Sequence, residues 1–245
     1  MAHMPRIQFH ILTLFPELFT GILNSSLLAK ASAKGLVSFN LTQIRDFATD
    51  KHKTVDDTPF GGGEGMLLKA DVLYRAWRSV VPEKSCAEAP SGSGLSSAKT
   101  ITILLSPQGE LFDQKMAHEL TSTYSKIVLV CGHYEGVDER FIDLCVDREV
   151  SIGNYILTGG ELPAAVLVET MTRLVPGVVG NERSLTEESL ERDGLLKYPQ
   201  YTRPREFKDH TVPDVLLAGD HKAIQTWREQ EMRRRTERKR PDLLK

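Results

Sequence analysis

The sequence lacks the features that would place it in a specialised class of protein. Only three cysteines, Cys86, Cys131 and Cys145, occur in 245 residues, and their spacing forms no metal-type cluster. An odd number of widely spaced cysteines favours reduced thiols over a disulfide framework. No apolar run approaches membrane-spanning length, and no signal peptide is recognisable. We therefore expect a cytoplasmic protein with no membrane partner.

The sequence also lacks a strong overall charge. The formal net charge is −2, while hydrophobic residues make up 40% and charged residues 26% of the chain, as is usual for a soluble globular protein of one or two domains. Any nucleic-acid partner must therefore be held by local basic patches. Residues 1–4 resemble a cloning remnant, so we expect the native chain to start at Met4.

Strand and helix patterns alternate along most of the chain. Apolar and β-branched runs predict strands at residues 7–15, 37–44, 101–105, 127–131 and 149–152. Helices are predicted from Pro16, through residues 27–31 to a cap at Gly35, at 71–81, at 114–122 and around Pro163. This alternation favours a parallel α/β sheet.

Three of the predicted strands run into segments that contain glycine. These segments are residues 106–109, 132–136 and 153–160. In open α/β sheets, ligands bind at the carboxyl ends of the strands. The pattern therefore predicts a pocket for a small ligand, although such glycines are also typical of simple tight turns, and their spacing identifies no ligand.

Other segments suggest contacts with RNA. The glycines at 61–63 could approach a phosphate or a base, but the segment lacks the ending of a P-loop and is equally typical of a flexible turn.

Residues 83–99 are rich in Ser, Gly and Ala and predict a surface insertion. Polar residues 177–194 predict a linker to a helical C-terminal domain, whose last helix is capped by Asp220 and ends before Pro241. That helix carries a basic run, which predicts either RNA-backbone contacts or a solvated face.

Several short motifs resemble one family. They are LSPQG at 105–109, CGHYEG at 131–136, SIGNYIL at 151–157, GGELP at 159–163 and YPQYTRP at 198–204, with TVDD at 54–57 and PFGGG at 59–63. Together they resemble the bacterial tRNA (guanine-N1)-methyltransferases of the TrmD type, within the knotted SPOUT methyltransferases. The resemblance runs almost from end to end of the chain.

The resemblance implies a fold, a reaction and a set of site residues. Residues 5–176 would form a parallel α/β domain with a deep C-terminal trefoil knot, and residues 195–245 a helical RNA-binding domain. A homodimer would methylate N1 of the guanosine immediately 3′ of the anticodon (position 37) in tRNA, with active sites at the interface. S-adenosylmethionine would be the cofactor. The residues implied to bind it are Leu105, Ser106, Pro107, Gly132, Glu135, Ile152, Gly153, Asn154, Tyr155, Ile156, Leu157, Gly159, Gly160 and Pro163.

The resemblance also implies catalytic and RNA-binding residues. Glu188 aligns with an aspartate that is the proposed general base of the family, and Arg173 with an arginine that holds the guanine. The implied RNA contacts are Gly61, Gly62, Gly63, Tyr201, Arg203, Arg233, Arg234 and Arg235. Family members are often assisted by Mg²⁺, but the sequence shows no dedicated metal site.

Two departures from the family and two other functions stay open. Glutamate stands at 188 where the family has aspartate, so Glu187 is an alternative base. Asn154 replaces a frequent aspartate. Another knotted RNA methyltransferase, such as a ribose 2′-O enzyme, is an alternative function that the motifs at 54–57 and 198–204 oppose. A non-catalytic RNA-binding protein that uses the basic helix is a third possibility.

Overall fold

Five parallel strands form the central sheet of the protein. The structure is a computed structural model that describes residues 6–82, 99–180, 188–191 and 194–244. The strands of this sheet are β1 (Ile7–Thr13), β2 (Val37–Gln43), β5 (Thr100–Leu111), β6 (Lys126–Cys131) and β7 (Arg148–Ser151), in the spatial order β2-β1-β6-β5-β7. Two further strands, β3 (Asp56–Asp57) and β4 (Leu67–Leu68), form a small antiparallel pair. The predicted parallel α/β class is confirmed, and the trefoil knot stays a prediction.

Helices cover both faces of this sheet. These helices are α1 (Glu17–Leu23), α2 (Ser26–Ala33), α3 (Ala70–Val80), α4 (Gln114–Thr123), α5 (Glu139–Cys145) and α6 (Glu161–Leu174), while a further helix, α7 (His221–Lys239), lies near the end of the chain. Buried side chains of α1, α2, α4 and α6 share one apolar cluster, and those of α3 and α5 share a second. Along β6 the side chains alternate between the clusters, with Leu129 in the first and Val130 in the second. A parallel sheet needs this double cover because both of its faces are apolar.

Helix ends follow the predicted local signals. Gly35 has a φ of +67° just after α2, and the Leu36 N–H donates to the Ala31 carbonyl at 3.0 Å, which closes the predicted cap. The Asp220 carboxylate accepts hydrogen bonds from the backbone N–H groups of Lys222 and Ala223, as predicted for the start of α7. These caps satisfy backbone groups that the helices themselves leave unpaired.

Two elements differ from the sequence prediction. The strand predicted at 101–105 continues to Leu111 after a register shift, because both Leu105 and Glu110 pair with Val150. Helix α5 was not predicted, although Asp138 caps it by accepting from the Arg140 N–H at 3.0 Å. Most of the predicted insertion at 83–99, residues 181–187 and 192–193 of the predicted linker, and residues 1–4 lie outside the described residues.

The chain divides into two compact units, Met1–Gly180 and Asn181–Lys245. The second unit contains α7, a short hairpin of β8 (Glu206–Phe207) and β9 (His210–Thr211), and two 3₁₀ turns. Helix α7 buries Met232 and Thr236, and the Thr236 hydroxyl accepts from the Leu196 N–H at 2.9 Å. Within the described ranges, no helix combines the length and apolar character needed to cross a bilayer.

His10 on β1 makes the stability of the sheet depend on pH. Neither of its buried ring nitrogens has a hydrogen-bond partner among the described residues. Burial, and after it the positive charge of Lys126, lowers the pKa of His10 from 6.5 to about 4. Between these two values the unfolded chain binds a proton that the folded chain does not. This group therefore does not reduce the free energy of unfolding above pH 6.5, but that free energy falls as the pH drops from 6.5 towards 4.

We predict that His10→Leu flattens this dependence. Urea unfolding at pH 7.5, 5.5 and 4.5 would measure the free energy of unfolding of both proteins. The wild type should lose more stability than the variant between pH 6.5 and 4, since only the wild type must hold an uncharged histidine. Parallel curves for the two proteins would show that His10 does not contribute to the acid sensitivity.

Candidate functional site

An open cleft lies at the carboxyl ends of β5, β6 and β7. Its volume is about 620 Å³. The predicted cofactor residues that line it are Leu105, Ser106, Pro107, Gly132, Glu135, Ile152, Gly153, Tyr155, Ile156, Leu157, Gly159, Gly160 and Pro163. Asn154 is the member of the predicted set that does not line it. The cleft is therefore where the topology of a parallel sheet favours a ligand.

The register shift in β5 brings residues 106–108 into the wall of the cleft. Residues 106–109 bulge out between Leu105 and Glu110, which both pair with Val150. Gly109 permits the bulge, because a Cβ at this position would lie 2.3 Å from the Val150 backbone nitrogen. Ser106 and Pro107 thus line the cleft although they lie within the limits of one long strand.

Two loops touch each other so closely at the floor of the cleft that a side chain would not fit between them. The Gly160 N–H donates to the Gly132 carbonyl at 2.9 Å. A Cβ on Gly160 would lie 2.7 Å from the Cα of Cys131 and 3.1 Å from the Cβ of Leu105. Since the first of these neighbours is backbone, it cannot rotate away. Glycine at 160 is required by the approach of three chain segments and not only by a turn.

One side of the cleft is formed by residues 152, 153 and 155–157, of which the last three are exposed. The Tyr155 ring packs against Gly153, where an added Cβ would lie 2.4 Å from the Tyr155 Cε1. The Tyr155 hydroxyl donates to the Ile152 carbonyl at 3.3 Å. Ile156 is 79% exposed. An apolar side chain that is so open beside a cleft is available to contact a ligand or a partner chain.

Acidic side chains give the cleft a negative wall. Glu135, Glu139 and Glu149 all line it, and a wall of this sign favours a cationic ligand. The thiol of Cys131 lies just behind the wall, and burial, with a further contribution from the charge of Glu161, raises its pKa well above 9.0. Cys131 therefore stays a neutral thiol and is unsuited to nucleophilic catalysis.

The glycine loop at 61–65 adjoins this acidic wall. The Glu135 N–H donates to the Met66 carbonyl at 3.0 Å, and a Cβ on Gly65 would lie 2.3 Å from the Glu135 Cγ. The predicted RNA contacts Gly61, Gly62 and Gly63 all have positive φ and are exposed. They do not line the cleft, although Leu67 just after them does.

Arg173 lies on the outer face of α6. Together with Leu162, Val166 and Glu169 it follows a spacing of four, three and four residues, which puts all four side chains on one face, here called the α6 stripe. Leu162 is 58% and Val166 43% exposed. Ten residues separate Arg173 from Pro163 at the cleft, which is about 15 Å along a helix.

The remaining predicted residues belong to the second unit. Glu188 is half-buried, and the next residue, Ser189, accepts from the Lys197 N–H at 3.0 Å. Tyr201 and Arg203 are exposed. Glu187, the alternative base, lies outside the described residues.

Two of the predicted arginines, Arg233 and Arg234, point away from the buried side of α7. Arg233 and Arg234 are exposed and Arg235 is half-buried, whereas Met232 and Thr236 are buried. Arg234 pairs with Glu231 at 2.9 Å.

The sequence prediction missed other residues that line the cleft, notably His133, Tyr134, Glu139 and Thr158. Their signal was present for His133 and Tyr134, since both lie between the glycines at 132 and 136.

We predict that Gly160→Ala destabilises the fold by about 1–3 kcal/mol, the usual cost of overpacking a tight site. The matched control is Gly180→Ala, because a Cβ there would meet nothing within 4 Å. Urea unfolding of both variants measures the difference. Equal stability of the two variants would show that the floor of the cleft can open to accept a methyl group.

Comparison with known proteins identifies the family. Residues 7–245 match the family described as tRNA (Guanine-1)-methyltransferase TrmD. The chain is 50% identical over 238 residues to a tRNA (guanine-N(1)-)-methyltransferase of Moorella thermoacetica, which covers 97% of this chain and 90% of the relative. It is 45% identical over 239 residues to the protein of the same name from Clostridioides difficile, with 98% of both chains covered. The chain therefore belongs to the TrmD family of tRNA (guanine-1)-methyltransferases.

Proposed function

We propose that the chain transfers a methyl group from S-adenosylmethionine to N1 of a guanosine in tRNA, the one immediately 3′ of the anticodon at position 37. The observation that carries this proposal is the family match over residues 7–245. We further propose that the reaction takes place in the cytoplasm, as expected for a tRNA substrate.

The cleft fits this cofactor in size and in chemistry. Its volume of about 620 Å³ lies within the usual range for small-molecule sites. Leu105 and Leu157 offer apolar walls, the glycines allow a ligand to approach the backbone, and the Glu135 carboxylate would face a positive charge. S-adenosylmethionine, when bound, supplies the activated methyl group and its leaving group. With Asn154 in place of aspartate, the remaining glutamates provide the negative charge.

The proton on guanine N1 requires a base. Neutral guanine carries this proton, so an acceptor has to remove it as the new bond forms. We assign that role to Glu188, by its position in the linker motif of the family. Arg173 would hold the guanine and offset the negative charge that develops on the base.

In a homodimer, Arg173 of one chain would reach the cleft of the other chain. Arg173 lies about 15 Å along α6 from its own cleft, and the α6 stripe combines two exposed apolar side chains with Glu169 and Arg173. Leu18 on α1, which packs against α6, adds a further exposed apolar residue. A two-fold axis near the middle of the stripe would place Arg173 of one chain opposite Leu162 of the other, at the cleft end of the helix. We therefore propose active sites shared between two chains.

The second unit would bind the tRNA backbone. Its exposed arginines on α7, with Tyr201 and Arg203, supply cations and an aromatic ring suited to phosphates and unpaired bases. The glycine loop at 61–63 would contact the same RNA.

The test is mass spectrometry of unmodified tRNA after incubation with the protein and S-adenosylmethionine. The expected product carries one added methyl on the guanine at position 37. A tRNA with adenosine at that position is the control and should stay unmodified. A methyl on a ribose, or no methylation by protein that binds the cofactor, would contradict the proposal.

We predict that two inactive variants complement each other. Glu188→Gln removes the base and should slow methylation by roughly 10²–10⁴-fold, whereas Glu135→Arg places a positive charge in the cleft and should prevent cofactor binding. After co-refolding in equal amounts, half of the dimers are hybrids with one intact site each, so about a quarter of wild-type activity should return. A mixture as inactive as either variant alone would contradict shared sites.

We also predict that Arg233, Arg234 and Arg235 bind RNA and not the cofactor. Changing all three to Gln should weaken tRNA binding and lower the slope of log affinity against log salt by up to about three. Affinity for S-adenosylmethionine should not change. Glu237→Gln on the same helix is the control for a general change in α7. An unchanged salt slope would show that this basic run is only a solvated face.

A further inference from the structure

Glu161, the first residue of α6, is a buried carboxylate. Its exposure is 4%, and among the described residues it is the one charged residue that is buried. A carboxylate at such a position is costly unless it is hydrogen-bonded. The positive end of the α6 dipole contributes part of its stabilisation, and the remainder has to come from side chains.

Two side chains from distant parts of the chain contact this carboxylate. The Thr13 hydroxyl at the end of β1 donates to Oε1 at 2.7 Å. The Nε2 of His133, in the loop after β6, lies 3.4 Å from Oε2. Gly159 lies between these groups, because a Cβ there would be 2.3 Å from Nε2 and 2.4 Å from Oε2. We call Thr13, His133 and Glu161 the Glu161 triad.

The Glu161 triad connects two loops that line the cleft. Gly132 and His133 belong to one loop and Gly159 and Gly160 to the other, and all four residues line the cleft. Thr13 and Glu161 do not. The Phe15 ring packs against the His133 ring at 5.1 Å, and the Phe15 N–H donates to the Thr13 hydroxyl at 2.9 Å. The end of β1 thus contacts His133 both directly and through Glu161.

We propose that Glu161 is a positioning residue for the cofactor, which fixes the ring of His133 and the spacing of the two glycine loops so that the cleft is preformed for S-adenosylmethionine. This inference rests on the proposed function. It goes beyond it in assigning a role to a residue that does not line the cleft. Preforming the cleft lowers the cost of ordering the loops when the ligand binds.

Calorimetric titration of the full-length protein with S-adenosylmethionine, without RNA, tests the inference. Glu161→Gln keeps the shape but removes the charge and puts an amide next to His133. It should weaken binding roughly 10-fold, the size expected for an uncompensated partner in a buried network. In steady-state assays the KM for S-adenosylmethionine should rise while the KM for tRNA stays constant.

Two threonines provide a matched pair of isosteric variants. Thr13 and Thr172 are both fully buried, but the Thr172 hydroxyl, on α6 away from the cleft, has no hydrogen-bond partner among the described residues. Thr13→Val should weaken cofactor binding about threefold, since Glu161 loses one donor. Thr172→Val should leave it unchanged. This pair keeps the test valid if Glu161→Gln fails to fold.

A double-mutant cycle separates positioning from simple stabilisation. If Glu161 acts through His133, the loss of cofactor binding free energy in the double variant should be smaller than the sum of the losses in Glu161→Gln and His133→Gln. Variants that unfold at lower temperature but bind the cofactor with wild-type Kd would overturn the inference. Wild-type protein that does not bind S-adenosylmethionine at all would instead overturn the proposed function.

Discussion

The cleft depends on the close approach of three chain segments at one point. Cys131 at the end of β6, Leu105 at the bend of β5 and Gly160 at the start of α6 lie so close that no side chain fits at 160. The hydrogen bond from Gly160 to Gly132 connects two of these segments. Because neighbouring parallel strands end at the same edge of the sheet, the loops that follow them can form one binding surface.

The proposals assign two tasks to opposite ends of helix α6. Its first turn carries Glu161 and closes the cleft, and the α6 stripe ends in Arg173. Glu161 and Arg173 are about 18 Å apart along the helix, so one chain cannot bring both to the same ligand through this helix. The proposed pair of chains related by a two-fold axis would resolve this separation, and the exposed Leu162 and Val166 would supply apolar area for such a contact.

Local patterns predicted most of the sheet but not how its strands bend. The strands β1, β2 and β6 and the helices α3, α4 and α7 follow from periodicity and capping residues, which act within a few positions. Residues 106–109 were predicted as a loop because they contain Pro107 and Gly109, and only the pairing of both Leu105 and Glu110 with Val150 shows that β5 continues. Helix α5 was missed because its seven residues are too few to show a period.

The site was predicted through short motifs, and the contacts that hold it were not. All the predicted cofactor residues except Asn154 line one cleft. The bond from Thr13 to Glu161 joins residues 148 positions apart, and no local pattern in a single sequence signals a contact at that distance. In the sequence, Glu161 stands out only as part of the motif at 159–163, and an acidic residue at the start of a helix is usual.

The most direct test of this account is a crystal structure of the full chain with S-adenosylmethionine. The account predicts a ligand in the cleft against Gly132 and Gly160, and two chains packed through the α6 stripe, with Arg173 of one beside the ligand of the other. A cofactor bound elsewhere, or an α6 stripe that faces solvent while the ligand occupies the cleft, would contradict it.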